Sequence, residues 1–306
     1  MKKGLLTIAF ALLSVAVSAQ DAAKEVPKDG WKTSNQFGVN LAGAGYNAAW
    51  QTSQGGFNST ALGFLINLKA DLLKGKGMWT NDFQTQYGFI RGQFDKASTS
   101  AESRKNIDRL FFETKYARKI SGKVNWFAGA NLLTQLAKGL DYNKNKSLIS
   151  NFLTPAVLTE GIGIQWKPVP YFSAELGGAT LRQTFVQDAD VIKNVGDGGK
   201  KPAYGVPFGS KFINDVGVSL VGIFDKDVAK NFNLKARYTG FVVLASSAKT
   251  LTPEHKAIDH RLDLVGTAKL GKYINANVTL IGIRDKDINA KAQISRGLNI
   301  GLLYSM

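Results

Sequence analysis

GFNSTALGFLINLKADLLKGKGMWTNDFQTQYGFI, residues 56–90, holds two alternating runs joined by one tight turn at Lys74–Gly77. In the first run Phe64, Ile66, Leu68 and Ala70 share one face, with Asn67, Lys69 and Asp71 opposite. Side chains on a strand point alternately to the two faces, so this spacing predicts β-structure with one apolar and one polar surface. Outward from this hairpin the pattern recurs. Twelve runs are expected: Asn35–Ala44, Gly56–Leu72, Met78–Ile90, Asp108–Ala117, Val124–Thr134, Val157–Lys167, Phe172–Phe185, Asn214–Phe224, Phe232–Leu244, Asp259–Leu270, Ile274–Asp285 and Ser295–Met306. Their connections alternate between short and long. Lys74–Gly77, Arg118–Lys123, Pro168–Tyr171, Asp225–Asn231 and Gly271–Tyr273 are short; Gly45–Gly55, Arg91–Ile107, Gln135–Ala156, Gln187–Ile213, Ala245–Ile258 and Lys286–Ile294 are long.

A soluble sandwich or a lipocalin-like barrel has no reason to sort its loops by side. A barrel crossing a bacterial outer membrane does, with tight periplasmic turns and long external loops. Aromatic residues gather beside the short turns: Trp79, Trp126, Trp166, Tyr171, Phe172, Phe224, Phe232, Tyr273 and Tyr304. Such a girdle marks a membrane interface. The expected fold is therefore all-β, an antiparallel up-and-down transmembrane barrel of about 12 strands.

The N-terminus carries its own signal. Lys2 and Lys3 precede the apolar stretch Leu5 to Val17 and the small residues Val17-Ser18-Ala19, the pattern of a secretory leader over residues 1–19. The stretch is shorter than the roughly 20 residues of a spanning helix. Residues 20–34 read as a periplasmic tail and residues 35–306 as the barrel. The chain has no cysteine, which excludes disulfides and thiolate metal sites. Hydrophobic residues at 44% exclude a disordered chain.

A net charge of +16 suggests an anion pore or a nucleic-acid binder until the charges are sorted by position. The excess falls on the loops and turns. On the lumen parity stand Lys69, Arg109, Lys115, Lys235, Arg237, Arg261 and Lys269 against Asp71, Asp82, Glu113, Glu175, Asp215 and Asp263, close to neutrality. Such groups either line a constriction or pair across the bore, because an unpaired buried charge is costly. Export argues against nucleic acid, and the basic rims suit lipopolysaccharide and lipid phosphates.

No catalytic set, cofactor motif or metal set is expected. His255 and His260 are the histidines, and the Asp259 and Asp263 flanking His260 raise an omptin-like acid–base arrangement as a third reading. The loop residues with most functional interest are Trp50, Gly55, Gly56 and Asn58 in the first loop, and Ser150, Asn151, Phe152 and Pro155 in the third. The segment Ser150–Pro155 is apolar enough to fold inward as a plug or to pack on a partner.

Several stretches resemble an uncharacterised outer-membrane β-barrel family of Bacteroidetes-type bacteria, a domain of unknown function. They are Asn47, Trp50, Gly55-Gly56 and Asn58-Ser59; Asn81 with Tyr87-Gly88; Arg104-Lys105 with Asp108; Thr134-Gln135; Ser150–Pro155; Thr184-Phe185-Val186; and Lys230-Asn231. The resemblance implies location and a barrel and no reaction. Two functions stay open: passage of small solutes through a lumen constricted by Ser150–Pro155, Arg109, Arg237 and Arg261, or a non-conducting envelope protein in which those arginines pair with Glu113 and Asp263 while the loops bind lipopolysaccharide or another envelope protein.

Overall fold

The computed structural model describes residues 29–53, 58–94, 100–248, 255–286 and 291–305. The expected leader, residues 20–28 of the expected tail, Gly55, Gly56 and Met306 lie outside them. Twelve long strands run antiparallel and close on themselves: β1 (Gly30–Ala44), β2 (Ser59–Lys74), β3 (Gly77–Gly92), β4 (Glu102–Ser121), β5 (Val124–Thr134), β8 (Ala156–Val169), β9 (Phe172–Phe185), β10 (Phe212–Ala229), β11 (Phe232–Ser246), β12 (Asp259–Lys269), β13 (Ile274–Arg284) and β14 (Gln293–Ser305). Two short strands, β6 (Gly139–Asp141) and β7 (Ser147–Ser150), form a separate hairpin inside the third long loop. Helix α1 (Ala48–Ser53) sits in the first loop and α2 (Ala189–Val195) in the fourth. No helix of the described residues is long and apolar enough to cross a membrane.

The strands overrun the apolar runs. β1 starts at Gly30 rather than Asn35, and β4 at Glu102 rather than Asp108. A ladder needs only backbone partners, so polar residues such as Ser103, Arg104 and Lys105 extend it.

Large apolar side chains point outward and stay exposed. Leu176 pairs with both Ile164 and Leu220, a row running round three neighbouring strands. At the short-turn end the expected aromatic belt is in place, with Trp31 and Tyr116 added. Trp31–Trp79, Tyr116–Trp126, Trp166–Phe172, Tyr171–Phe224 and Tyr273–Tyr304 sit with ring centroids 5.5–6.3 Å apart. Trp79 Nε1 donates to Thr114 Oγ1 at 2.8 Å, which satisfies its polar edge.

At the long-loop end a small apolar core unites three loops. Val186, Val191, Val206 and Ile213 are buried together, with Leu148, Ile192, Tyr204 and Ala248 against them. Tyr204 donates its hydroxyl to the Ile149 carbonyl at 2.7 Å, and Asn194 Nδ2 donates to the Leu148 carbonyl at 2.9 Å. Burial pushes the Tyr204 hydroxyl up to about 12. The third and fourth loops therefore make one ordered cap.

Candidate functional site

The lumen is bridged rather than empty. Arg237 on β11 donates from Nη2 to Glu113 Oε2 on β4 at 2.7 Å. These strands stand five places apart in the twelve-strand ring, nearly opposite each other. Lys115, two residues along β4, approaches Glu113 at 3.8 Å and donates to Glu175 Oε1 on β9 at 2.6 Å. Glu175 also accepts from Gln165 Nε2 at 2.7 Å, and Gln165 Oε1 accepts from Asn125 Nδ2 at 2.9 Å. A chain of side chains, hydrogen-bonded except for the longer Glu113–Lys115 ion pair, thus crosses the bore from β11 to β5. The Arg109 and Arg237 guanidiniums both lie on the buried Phe111 ring, at 4.9 and 5.5 Å.

The remaining lumen candidates pair more locally. Arg109 donates to Gln84 Oε1 at 3.0 Å, and Arg261 grips Asp263 with two bonds of 2.8 Å. Lys69 faces Asp71 at 3.5 Å and Lys235 faces Asp225 at 3.7 Å, both half-exposed. Apart from Arg109, which bonds to the neutral Gln84, these candidates sit in opposite-sign pairs, which is how buried charges are tolerated.

A second cluster near the long loops joins Asp215, Asp259 and His255, all named above, through Arg182, which the sequence does not place there. Arg182 Nη1 donates to Asp259 Oδ2 at 2.6 Å and Nη2 to Asp215 Oδ2 at 3.3 Å, while His255 Nε2 lies 2.9 Å from Asp215 Oδ1. Counting by twos from Glu175 places Arg182 outside. The register slips in β9, where Gly177 pairs with Ser219 but Thr180 with Gly217. That bulge adds one residue and flips the parity, so Thr180, Arg182 and Thr184 point inward. Gly177 permits it: a Cβ there would overlap Ser219 Oγ.

His260 does not meet the acids beside it. It stands on the outward parity of β12, where its Nδ1 is 2.8 Å from the Tyr238 hydroxyl, while Asp259 and Asp263 turn inward to Arg182 and Arg261. Alternation along a strand separates sequence neighbours, so the omptin-like arrangement is not assembled. Among the described residues no group of three His, Asp or Glu side chains could hold a metal ion.

The loop candidates are distributed as follows. Trp50 lies within α1, and Asn58 Oδ1 accepts from the Tyr46 amide at 2.6 Å. Ser150 ends β7. Asn151 Nδ2 donates to Asp188 Oδ2 at 2.9 Å, and the Pro155 carbonyl accepts from Thr134 Oγ1 at 2.9 Å. Phe152 and Leu153 at the tip remain exposed, so the segment packs on the fourth loop with its apolar tip outside the cap's core.

Asp188 holds the cap together. Its Oδ1 accepts from the Asp190 and Val191 amides at the start of α2, at 2.9 and 3.2 Å. The Asn151 hydrogen bond and these amides hold its carboxyl below the ordinary aspartate range. A depressed folded value means the stabilisation is complete above the unfolded value, near pH 4, and disappears as pH falls through the folded one. Asp188→Ala should loosen the cap by about 1 kcal/mol. Protease nicking within residues 187–211 should rise in this variant at neutral pH, and in the parent only in acid. Simultaneous unfolding of the strands would show that the cap is not a separable unit.

On the outer flank of the same rim lies a cleft of about 530 Å³. Tyr87, Phe89 and Tyr142 supply rings, Lys105 and Lys138 supply positive charge, and Ser103 and Ser150 line it. Lys105 is fixed by Asp108 Oδ2 and the Ala137 carbonyl, both at 2.7 Å. Beside the cleft the Arg104 guanidinium is clamped between Phe94 and Tyr142, 4.0 and 4.1 Å from the ring centroids. Flat rings suit the apolar faces of a sugar and Lys138 can meet an acidic group, whereas Lys105 and Arg104 are already paired with Asp108 and Glu102 at 2.7 and 3.2 Å.

A family model described as a protein of unknown function (DUF3078) matches residues 42–140. No curated protein matches the chain in sequence. Among solved structures, an outer membrane channel from Pseudomonas putida F1 is 10% identical with a TM-score of 0.38, over 94% of this chain and 98% of that one. A structure of the NanC porin is also 10% identical, with a TM-score of 0.39 over 88% and 98%. A FadL homologue from Pseudomonas aeruginosa is 11% identical, with a TM-score of 0.32 over 90% and 80%. At these scores none of them transfers a role to this chain.

Proposed function

We propose that this chain is an outer-membrane barrel whose bore is closed at rest, and whose external rim holds acidic glycan of the lipopolysaccharide type. The apolar outward face, the aromatic belt at one end and the sorting of the loops support the location. The Arg237–Glu113 bond carries the closure. It joins nearly opposite strands at 2.7 Å, and the Lys115–Glu175–Gln165 chain continues it. The rings and Lys138 of the Tyr87–Tyr142 cleft support the glycan.

Purified protein in a planar bilayer should be silent. Glu113→Gln with Lys115→Gln should produce resolvable current steps, because both partners that anchor the bridge on β4 lose charge. Steady conductance by the unaltered protein would instead establish the narrow solute channel, with Arg109, Arg237 and Arg261 at its constriction. For the rim, Tyr142→Ala with Lys138→Glu should weaken retention of purified lipopolysaccharide while leaving the bilayer recordings unchanged.

A further inference from the structure

The wall of the barrel is not equally closed all round. Among the described residues each junction between neighbouring strands pairs at least ten positions, except one. β1 and β14 pair over five, from Gln36↔Ser305 to Asn40↔Gly301. Continuing that register would set Leu41 against Ile300, Ala42 against Asn299, Gly43 against Leu298 and Ala44 against Gly297. None of these pairs forms. From the Asn40–Gly301 pair to the long-loop end the seam is therefore a wedge-shaped gap.

Exposure reports the same gap. On a closed wall one parity is shielded by the lumen contents. Here Leu41, Ala42, Gly43 and Ala44 are all exposed, and so are Leu298, Asn299 and Ile300. The apex is tight: a Cβ at Gly301 would overlap the Asn40 side chain and come within 2.6 Å of the Val39 carbonyl. The two edges are small and polar toward the lumen, with Ala42, Ser295, Gly297 and Asn299. They are strongly apolar outward, with Ile294, Leu298 and Ile300 at 63, 71 and 57% exposure. Arg296, exposed on that outward parity, adds a cation beside the gap.

Inside a bilayer an open edge cannot stay bare. Each unsatisfied N–H or C=O in hydrocarbon costs several kcal/mol. Something must fill the wedge that gives hydrogen bonds to Asn299 and the backbone, presents apolar chain to Leu298 and Ile300, and carries negative charge for Arg296. We propose that the long-loop half of the β1–β14 seam is a lateral opening that seats a phosphorylated acyl lipid of the surrounding outer leaflet, its headgroup reaching into the wall. The proposal rests on the membrane location given above and is independent of whether the bore conducts.

The absence of native cysteine makes the test direct. Val39→Cys with Leu302→Cys, a paired position, should oxidise readily in cells. Ala42→Cys with Asn299→Cys should not. A photoreactive benzoylphenylalanine at outward Leu298 and at lumen-parity Asn299 should capture lipid in both places, in cells and in phosphatidylethanolamine–phosphatidylglycerol vesicles; the same group at inward Thr279 should capture none. Arg296→Gln should lower capture at Asn299 about fivefold in the vesicles, the weight of one basic residue at an anionic surface. Rapid disulfide formation at 42–299, or lipid at Leu298 but none at Asn299, would overturn the opening and leave the membrane location standing. Lipid at neither position would overturn the location itself. A polypeptide adduct at Asn299 would replace the lipid by an added strand and also overturn the proposal.

Discussion

Leu220→Arg is expected to abolish stable insertion. Leu220 stands on the outward parity of β10, exposed, in the row with Leu176, and two outward positions from Phe224 in the aromatic belt. At about 3.3 Å per residue along a tilted strand, that places it near the middle of an apolar band roughly 25 Å tall. An arginine there costs about 2–4 kcal/mol, a large share of a folded protein's typical margin of 5–15 kcal/mol. The neighbouring Val221→Arg turns the same charge inward, where residue 221 pairs with Glu175. It should insert. Membrane-fractionated protein and its resistance to urea extraction separate the two variants, and equal yields would mean that the outward face does not meet lipid.

The second large effect is expected at the bridge. Arg237→Leu removes the charge that holds Glu113 and leaves that carboxylate with Lys115 at 3.8 Å, itself committed to Glu175. Breaking one side of a buried pair typically costs about 3–5 kcal/mol, because the surviving charge is stranded, whereas replacing both partners by apolar residues is often close to neutral. Arg237→Leu should therefore lower the urea midpoint strongly, and adding Glu113→Leu should restore most of it. A double variant as weak as the single would show that Arg237 acts through its packing on Phe111 rather than through its charge.

These variants also mark what a reader of the sequence could and could not obtain. Alternation in residues 59–74 or 232–242 is regular, so the inward placement of Lys69, Lys235 and Arg237 follows from counting by twos. Loop length and the belt at Trp79, Trp126 and Trp166 show the barrel and the end at which its turns lie. Arg182 was lost because a bulge at Gly177–Thr180 changes the phase without changing the composition. The cap was lost for another reason: its core joins residues from three loops, and α2 is only seven residues long. Asp188 ahead of an apolar helical pair, Val191 and Ile192, was the available clue. The seam left no local trace, since its partners are separated by nearly the whole chain.

The cap sets an order of events in assembly. Val186, Val191, Val206 and Ile213 meet Leu148 from one preceding loop and Ala248 from a following one. Those loops are rooted on strands from β5 to β12, so their apolar residues cannot gather before that arc of the wall has come together. In the membrane location proposed above they must also cross the bilayer as separate polar-backboned segments and condense on the far side. The cap thus acts as a latch that sets only after the β5–β12 arc is in place, and its formation records that strands far apart in the sequence have reached their places.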